Sequence, residues 1–166
     1  KGEVVTRQNW REALFNANKD DNLFMLTFDD GLKSQKIAAE MMHKLGLWGM
    51  FFISSLPLME EKLLNVHKIH YLLGLDKFNH IYQMLKVFIN NKNIEIKNLK
   101  SYSKAYFNQS NNDKIKDFKK YLNYILSFKE ANEFLNKVFQ DLNIEEKKIH
   151  KEWYLNKKDI SYIKNL

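Results

Sequence analysis

The chain has 166 residues, 45% of them hydrophobic, which is enough for one domain with a real core. The absence of cysteine excludes disulfides and thiolate metal sites, and a single proline argues against long proline-rich linkers. The net charge of +7 is carried by dispersed lysines, with Arg7 and Arg11 the only arginines, so specific nucleic-acid recognition is not expected, and no apolar run is long enough to span a bilayer.

Taken in chain order, Thr6 is placed to cap a helix carrying Trp10, Ala13 and Leu14. The run Phe24-Met25-Leu26-Thr27-Phe28 then reads as a buried strand that ends in Asp29-Asp30-Gly31. Carboxylates where a buried strand stops are costly unless something pairs with them, and a metal ion or a substrate would supply the pairing. Side chains alternate along a strand, so Asp29 and Asp30 face opposite sides unless the chain turns; Gly31 permits the turn. A helix follows from Ser34 to Leu45 with Ile37, Ala38, Met41 and Leu45 on its apolar face, closed by Gly46. Met50-Phe51-Phe52-Ile53 is the second strand. Strand, helix and strand in this order predict a parallel sheet or barrel, with the two acids at the carboxyl end of the first strand, where such folds carry their sites.

Residues 57–152 read differently, as helices. A helix starting near Pro57 places Leu63, Val66, Ile69, His70 and Leu73 on one face. Leu72, Leu73, Phe78, Ile81, Tyr82, Leu85, Phe88 and Ile89 keep helical spacing up to the breaker run Asn90-Asn91-Lys92-Asn93. A polar stretch from Asn108 to Asp113 precedes a helix with Ile115, Phe118, Tyr121, Leu122, Ile125 and then Phe128 as its apolar side, its lysines on the solvated face. Ala131, Phe134, Leu135, Val138, Phe139 and Leu142 form the next stripe. Aromatic residues fall mostly in these stripes and read as core; Trp48 and the pair Trp153-Tyr154 lie outside them without identifying a ligand.

Leu26-Thr27-Phe28-Asp29-Asp30-Gly31, with the helix and second strand that follow, resembles the amino-terminal part of the polysaccharide deacetylases, the NodB-homology family of carbohydrate esterases. The match covers about residues 5–56, and Thr27-Phe28-Asp29-Asp30-Gly31 is that family's first motif. The resemblance implies a distorted (β/α) barrel and metal-dependent removal of N-acetyl or O-acetyl groups from sugars. It implies that Asp29 is the general base that activates water and that Asp30 is a metal ligand. The chemistry is consistent: a divalent metal lowers the pKa of bound water and polarises a carbonyl, and a second carboxylate within reach takes the proton. Zinc is the expected metal, with cobalt, nickel or manganese as substitutes.

The departure from the family is as specific as the match. Its second motif, His-(Ser/Thr)-x-x-x-His, which supplies two further ligands, is not present. Residues 153–166 resemble the helix that leads into that motif, so the chain is expected to be the amino-terminal part of a longer enzyme, with little activity by itself. His67 and His70 stand at i,i+3 spacing but have Lys68 where the family has Ser or Thr, and His70 reads as packed or hydrogen-bonded. His43, His80 and His150 read as isolated core or solvated residues.

The expectation is therefore an α/β protein, a partial distorted (β/α) barrel of the NodB type. Residues 1–56 begin the barrel, 57–152 form a largely helical insertion after the second strand, and 153–166 lead back. The expected partner is an N-acetylated glycan, with no specific nucleic acid and no membrane span. The location is the bacterial cell envelope or periplasm if a signal peptide has been removed, and otherwise the cytoplasm. A non-catalytic helical interaction module that keeps an eroded deacetylase start is the alternative.

Overall fold

The computed structural model describes residues 2–16, 18, 21–94, 96, 102, 104–106 and 108–166. Its elements in chain order are β1 (Glu3–Val4), α1 (Trp10–Asn16), β2 (Leu23–Phe24), β3 (Leu26–Phe28), α2 (Gln35–Lys44), β4 (Gly49–Phe51), α3 (Ser55–Glu60), α4 (Asn65–Leu73), α5 (Phe78–Asn91), α6 (Asp113–Lys120), a π-helical turn (Tyr121–Ile125), α7 (Phe128–Asp141), α8 (Glu146–Trp153) and α9 (Lys157–Lys164). The chain divides into two compact units, residues 1–62 with 147–166, and residues 63–146. These divisions lie inside the 57 and 152 boundaries expected for the insertion.

The first unit is mixed α/β with short strands. β1 pairs parallel with β2, and β3 pairs parallel with β4 in the register Leu26–Gly49, Thr27–Met50, Phe28–Phe51. The expected strand–helix–strand unit is present, but its first strand is not one buried run: Phe24–Phe28 is divided at Met25 between β2, which pairs with β1, and β3, which pairs with β4, and none of its residues is fully buried. Among the described residues the sheets have two strands each and no barrel closes. Phe28 and Phe51 stack at 4.7 Å between centroids, the cross-strand pair that holds β3 against β4. Thr6 and Asn9 cap the entry to α1 reciprocally: the Asn9 side chain accepts from Thr6 N at 2.7 Å and Thr6 Oγ1 accepts from Asn9 N at 3.3 Å. Gly46 ends α2 as expected, at φ 66°, a left-handed position that glycine takes without cost.

The apolar face expected for α2 is corrected. Ile37, Met41 and Leu45 are exposed, and Ala39 and Met42 are the buried pair. The reason is at Gly49: a Cβ there would lie 3.0 Å from Met42 Cε, so the missing side chain lets the helix settle on β4 through Met42 and the small Ala39. The carboxyl-terminal stretch is also not one helix. α8 ends at Trp153, residues 154–156 are extended, and α9 starts afresh behind Asn156, whose side chain accepts from the N–H groups of Lys158 and Asp159. α9 is tied to α2 by the Lys36–Asp159 ion pair at 3.0 Å.

Among the described residues the regular elements of the second unit are all helical. Leu72, Ile81, Leu85, Phe118, Phe134, Leu135 and Val138 have almost no exposed surface, and Phe118 meets both Phe78 and Phe134 edge-on. The helix expected to run from Pro57 through Leu73 is broken: Glu61 takes a left-handed φ of 53°, and Leu63 gives its N–H to the Glu146 carboxylate at 2.7 Å rather than to a helical carbonyl. The break resets the buried face. On α4 it comprises His67, Lys68, Ile69 and Leu72, while Val66 and His70 are exposed, so His70 is not a packed residue. Lys68 is the unexpected member, 1% exposed, with Nζ 2.7 Å from Asn136 Oδ1 and 3.0 Å from Glu146. Ser127 and Glu130 form a capping box that starts α7, and its expected stripe from Ala131 to Phe139 is buried. The preceding helix does not reach Phe128. Leu126 N bonds Tyr121 O at 2.9 Å across a π turn, and Phe128 is 74% exposed. No helix among the described residues is long and apolar enough to cross a membrane.

Candidate active site: the Asp29-Asp30-Gly31 turn

The two acids sit where β3 stops. Asp30 and Gly31 take φ values of 71° and 72°, two consecutive left-handed residues, so the chain turns between the carboxylates rather than carrying them to opposite sides of a strand. Aspartate and glycine are residue types that tolerate this conformation. Gly31 is required twice over. Its φ disfavours any side chain, and a Cβ there would lie 3.2 Å from Ile53 Cδ1 just beyond β4.

Three elements fix the turn. From α2, Gln35 Nε2 donates to the Asp29 carbonyl oxygen. Exchanging the amide atoms would set oxygen against oxygen, so the orientation is determined by the Asp29 carbonyl, and Gln35 Oε1 is left buried with no partner among the described residues. From the start of α3, Ser54 Oγ donates to Asp30 Oδ1 at 3.3 Å. Ser54 occupies the N-cap position, yet its side chain makes no capping bond; its hydroxyl serves the carboxylate instead. From residues 153–155, Lys33 N donates to Trp153 O at 2.7 Å and Leu155 N to Gly31 O at 2.9 Å, with Leu32 and Tyr154 forming an antiparallel bridge. The turn is thereby clamped between two stretches far apart in sequence. Asp29 is exposed and Asp30 half-buried, so the first carboxylate faces solvent and the second is held.

Gln35, Ser54 and the 153–155 clamp were not legible as site residues. Gln35 reads only as a helix position and Ser54 only as a link between the second strand and the next helix, and the clamp uses backbone atoms, which leave no side-chain signal.

The histidines are placed as follows. His43 and His80 are exposed. His150, on α8, is neither isolated nor solvated: Nε2 lies 2.8 Å from the Pro57 carbonyl oxygen, an acceptor, so Nε2 carries the proton and donates, and the ring stacks on Tyr154 at 5.2 Å. His150 Nδ1 is buried and has no partner among the described residues. His67 and His70 lie on α4 in the second unit, His67 buried and His70 exposed. Partial shielding of the His70 ring, with the Lys119 charge as a smaller cause, holds its imidazole below the usual pKa. Among the described residues no group of three or more His, Cys, Asp or Glu side chains is arranged to hold a metal ion.

No protein-family model, no curated protein and no solved structure matches the chain.

Proposed function

We propose that the Asp29-Asp30-Gly31 turn belongs to a hydrolytic site of the polysaccharide-deacetylase kind, acting on an N-acetylated sugar of a polysaccharide or surface glycan. One observation carries the reading: the two acids stand at the carboxyl end of a parallel strand pair, on a turn that presents Asp29 to solvent and holds Asp30 through Ser54. Hydrolysis of an N-acetyl group joins the oxygen of water to the carbonyl carbon, breaks the C–N bond, and yields acetate and the free amine. Asp29 takes the proton from the attacking water as its oxygen bonds to carbon. Asp30 is a single carboxylate ligand for a divalent cation, zinc by expectation. The described residues alone do not complete a metal site, so this chain by itself holds the cation weakly and turns over slowly or not at all.

Acetate release from an N-acetylated oligosaccharide in the presence of zinc or cobalt tests the reading. Any turnover of this chain is expected to be low and to vanish in Asp29→Asn. Robust release that survives Asp29→Asn and Asp30→Asn but is abolished by His67→Ala overturns it.

The alternative, an interaction module without catalysis, draws support from the exposed Ile37, Met41 and Leu45 stripe on α2. It predicts that neither aspartate substitution changes any metal-dependent property.

A further inference from the structure

Three tyrosines in the second unit form a cluster that the hydrolytic reading does not use. Tyr102 stacks on Tyr124 at 5.0 Å between ring centroids and 20° between planes, and Tyr106 meets the same ring at 5.9 Å and 52°. They are not part of the core: Tyr124 is 45% exposed and the other two are half-buried. Two departures from regular backbone build the cluster. The π turn after α6 adds a residue to the helical repeat, which carries Asn123 and Tyr124 to the surface while Leu122 stays buried. Tyr106 stands at φ 61°, a conformation that asparagine and aspartate accept at Asn93, Asn143 and Asp30 but that a bulky ring rarely takes. The Asn123 side chain donates to the Tyr106 hydroxyl at 2.7 Å and ties the two departures together. Backbone held in such states costs stability, and it gathers at ligand sites.

The chemistry around the rings selects the ligand. Their faces are apolar and their edges carry hydroxyls, so they suit a molecule that is itself apolar on one face and hydroxylated at its rim. Neutral amides stand beside them: Asn123 at Tyr106, and Gln109, whose Oε1 accepts from Asn111 Nδ2 and from Lys119 Nζ, each at 2.9 Å. An amide offers two donors and an acceptor, a match for the adjacent hydroxyls of a sugar and for an acetamido group. The Lys119 ammonium lies 5.5 Å from the Tyr106 ring centroid and already takes the place of a cationic ligand over that ring. Lys119 is also buried, so its charge is not presented to a phosphate backbone. We propose that Tyr102, Tyr106, Tyr124 and Asn123 form a glycan-binding platform that stacks a pyranose ring of an N-acetylated oligosaccharide. The choice of an N-acetylated sugar rests on the hydrolytic reading; the platform itself does not, since its residues belong to the second unit and the two aspartates to the first.

Chitotetraose is the probe, titrated into the isotopically labelled chain and followed by amide resonances. Saturable shifts are expected at the Asn123 side-chain amide and at the backbone amides of residues 121–126. Tyr124→Ala is expected to weaken binding by about tenfold and Asn123→Ala by about fivefold, whereas Tyr124→Phe, which keeps the ring face, retains most of it. Both positions are exposed, and circular dichroism checks that the variants fold. Cellotetraose, with the same linkage but no acetamido groups, is expected to bind about fivefold more weakly. Asp30→Asn is expected to leave binding unchanged. Absence of saturable chitotetraose binding overturns the proposal, as do shifts that survive both Tyr124→Ala and Asn123→Ala. Equal binding of cellotetraose overturns the N-acetylated ligand, and binding of oligodeoxythymidylate without binding of chitotetraose overturns the platform in favour of single-stranded nucleic acid. Loss of chitotetraose binding while a divalent cation still responds to Asp30→Asn removes the platform alone; chitotetraose binding without any such response removes the hydrolytic reading alone.

Discussion

Gly31 is the residue on which the geometry of both acids depends. Gly31→Ala forces a side chain into a left-handed conformation and against Ile53, and is expected to cost about 1–2 kcal/mol, read as a lower urea midpoint. Asp30→Asn is a cleaner probe than Asp30→Ala, because asparagine also accepts positive φ. It removes the charge while leaving the turn in place. Lys68 is the second residue whose loss has a defined consequence. Lys68→Met strands Glu146 beside an apolar side chain and is expected to cost on the order of 3 kcal/mol, with much of that recovered in Lys68→Met/Glu146→Gln. A double-mutant cycle on urea unfolding measures the coupling. A lysine in a helical stripe reads as solvated, and only the Asn136 and Glu146 partners, 68 and 78 positions away, explain why this one is not.

At the scale of elements, local signals were legible and packing partners were not. Thr6 before α1, Gly46 after α2 and Asn93, at φ 50° just beyond α5, each act through neighbouring backbone, so sequence alone places them, whereas Asn90 and Asn91, expected as breakers, are the last two residues of the helix. The face of α2 is decided elsewhere, by the absent side chain of Gly49, and periodicity therefore chose Ile37, Met41 and Leu45 where the fold buries Ala39 and Met42. The Asp-Asp-Gly turn was legible as a turn because aspartate and glycine favour turns through their own backbone and side chains, whereas its supports from Gln35, Ser54 and residues 153–155 arrive from other elements. α9 offers a test of its own. Asn156→Ala removes a cap that accepts two N–H groups and is expected to cost about 1 kcal/mol, seen in the same unfolding experiment. The hydrogen bond from Lys36, then the backbone bond from Asn156 and the charges of Lys36 and Lys33, hold the Asp159 carboxyl below its usual value against the opposing effect of burial. A carboxyl depressed in the folded state contributes stability that is complete above its unfolded pKa, near 3.8, and is lost as pH falls through the lower folded value. Asp159→Asn is therefore expected to flatten the acid limb of the stability profile below about pH 4 while leaving the slope near neutrality unchanged.

For the molecule as a whole, the helical second unit and the α/β first unit each have their own core, and the acids belong wholly to the first. The strand–helix–strand order of that unit was readable because a parallel pair needs a crossover, and the sequence between β3 and β4 has room for one helix. A closed barrel was not readable from so few strands, because closure is a property of the whole sheet and of no single strand. In the proposed site the turn is one corner, with Asp30 as metal ligand and Asp29 as base. Titration of the isotopically labelled chain with manganese, followed by paramagnetic broadening of amide resonances, detects even a weakly held cation. The account predicts broadening centred on Asp29, Asp30, Gly31 and Ser54 that disappears in Asp30→Asn and persists in Asp29→Asn; broadening that ignores this turn, or that survives Asp30→Asn unchanged, contradicts it.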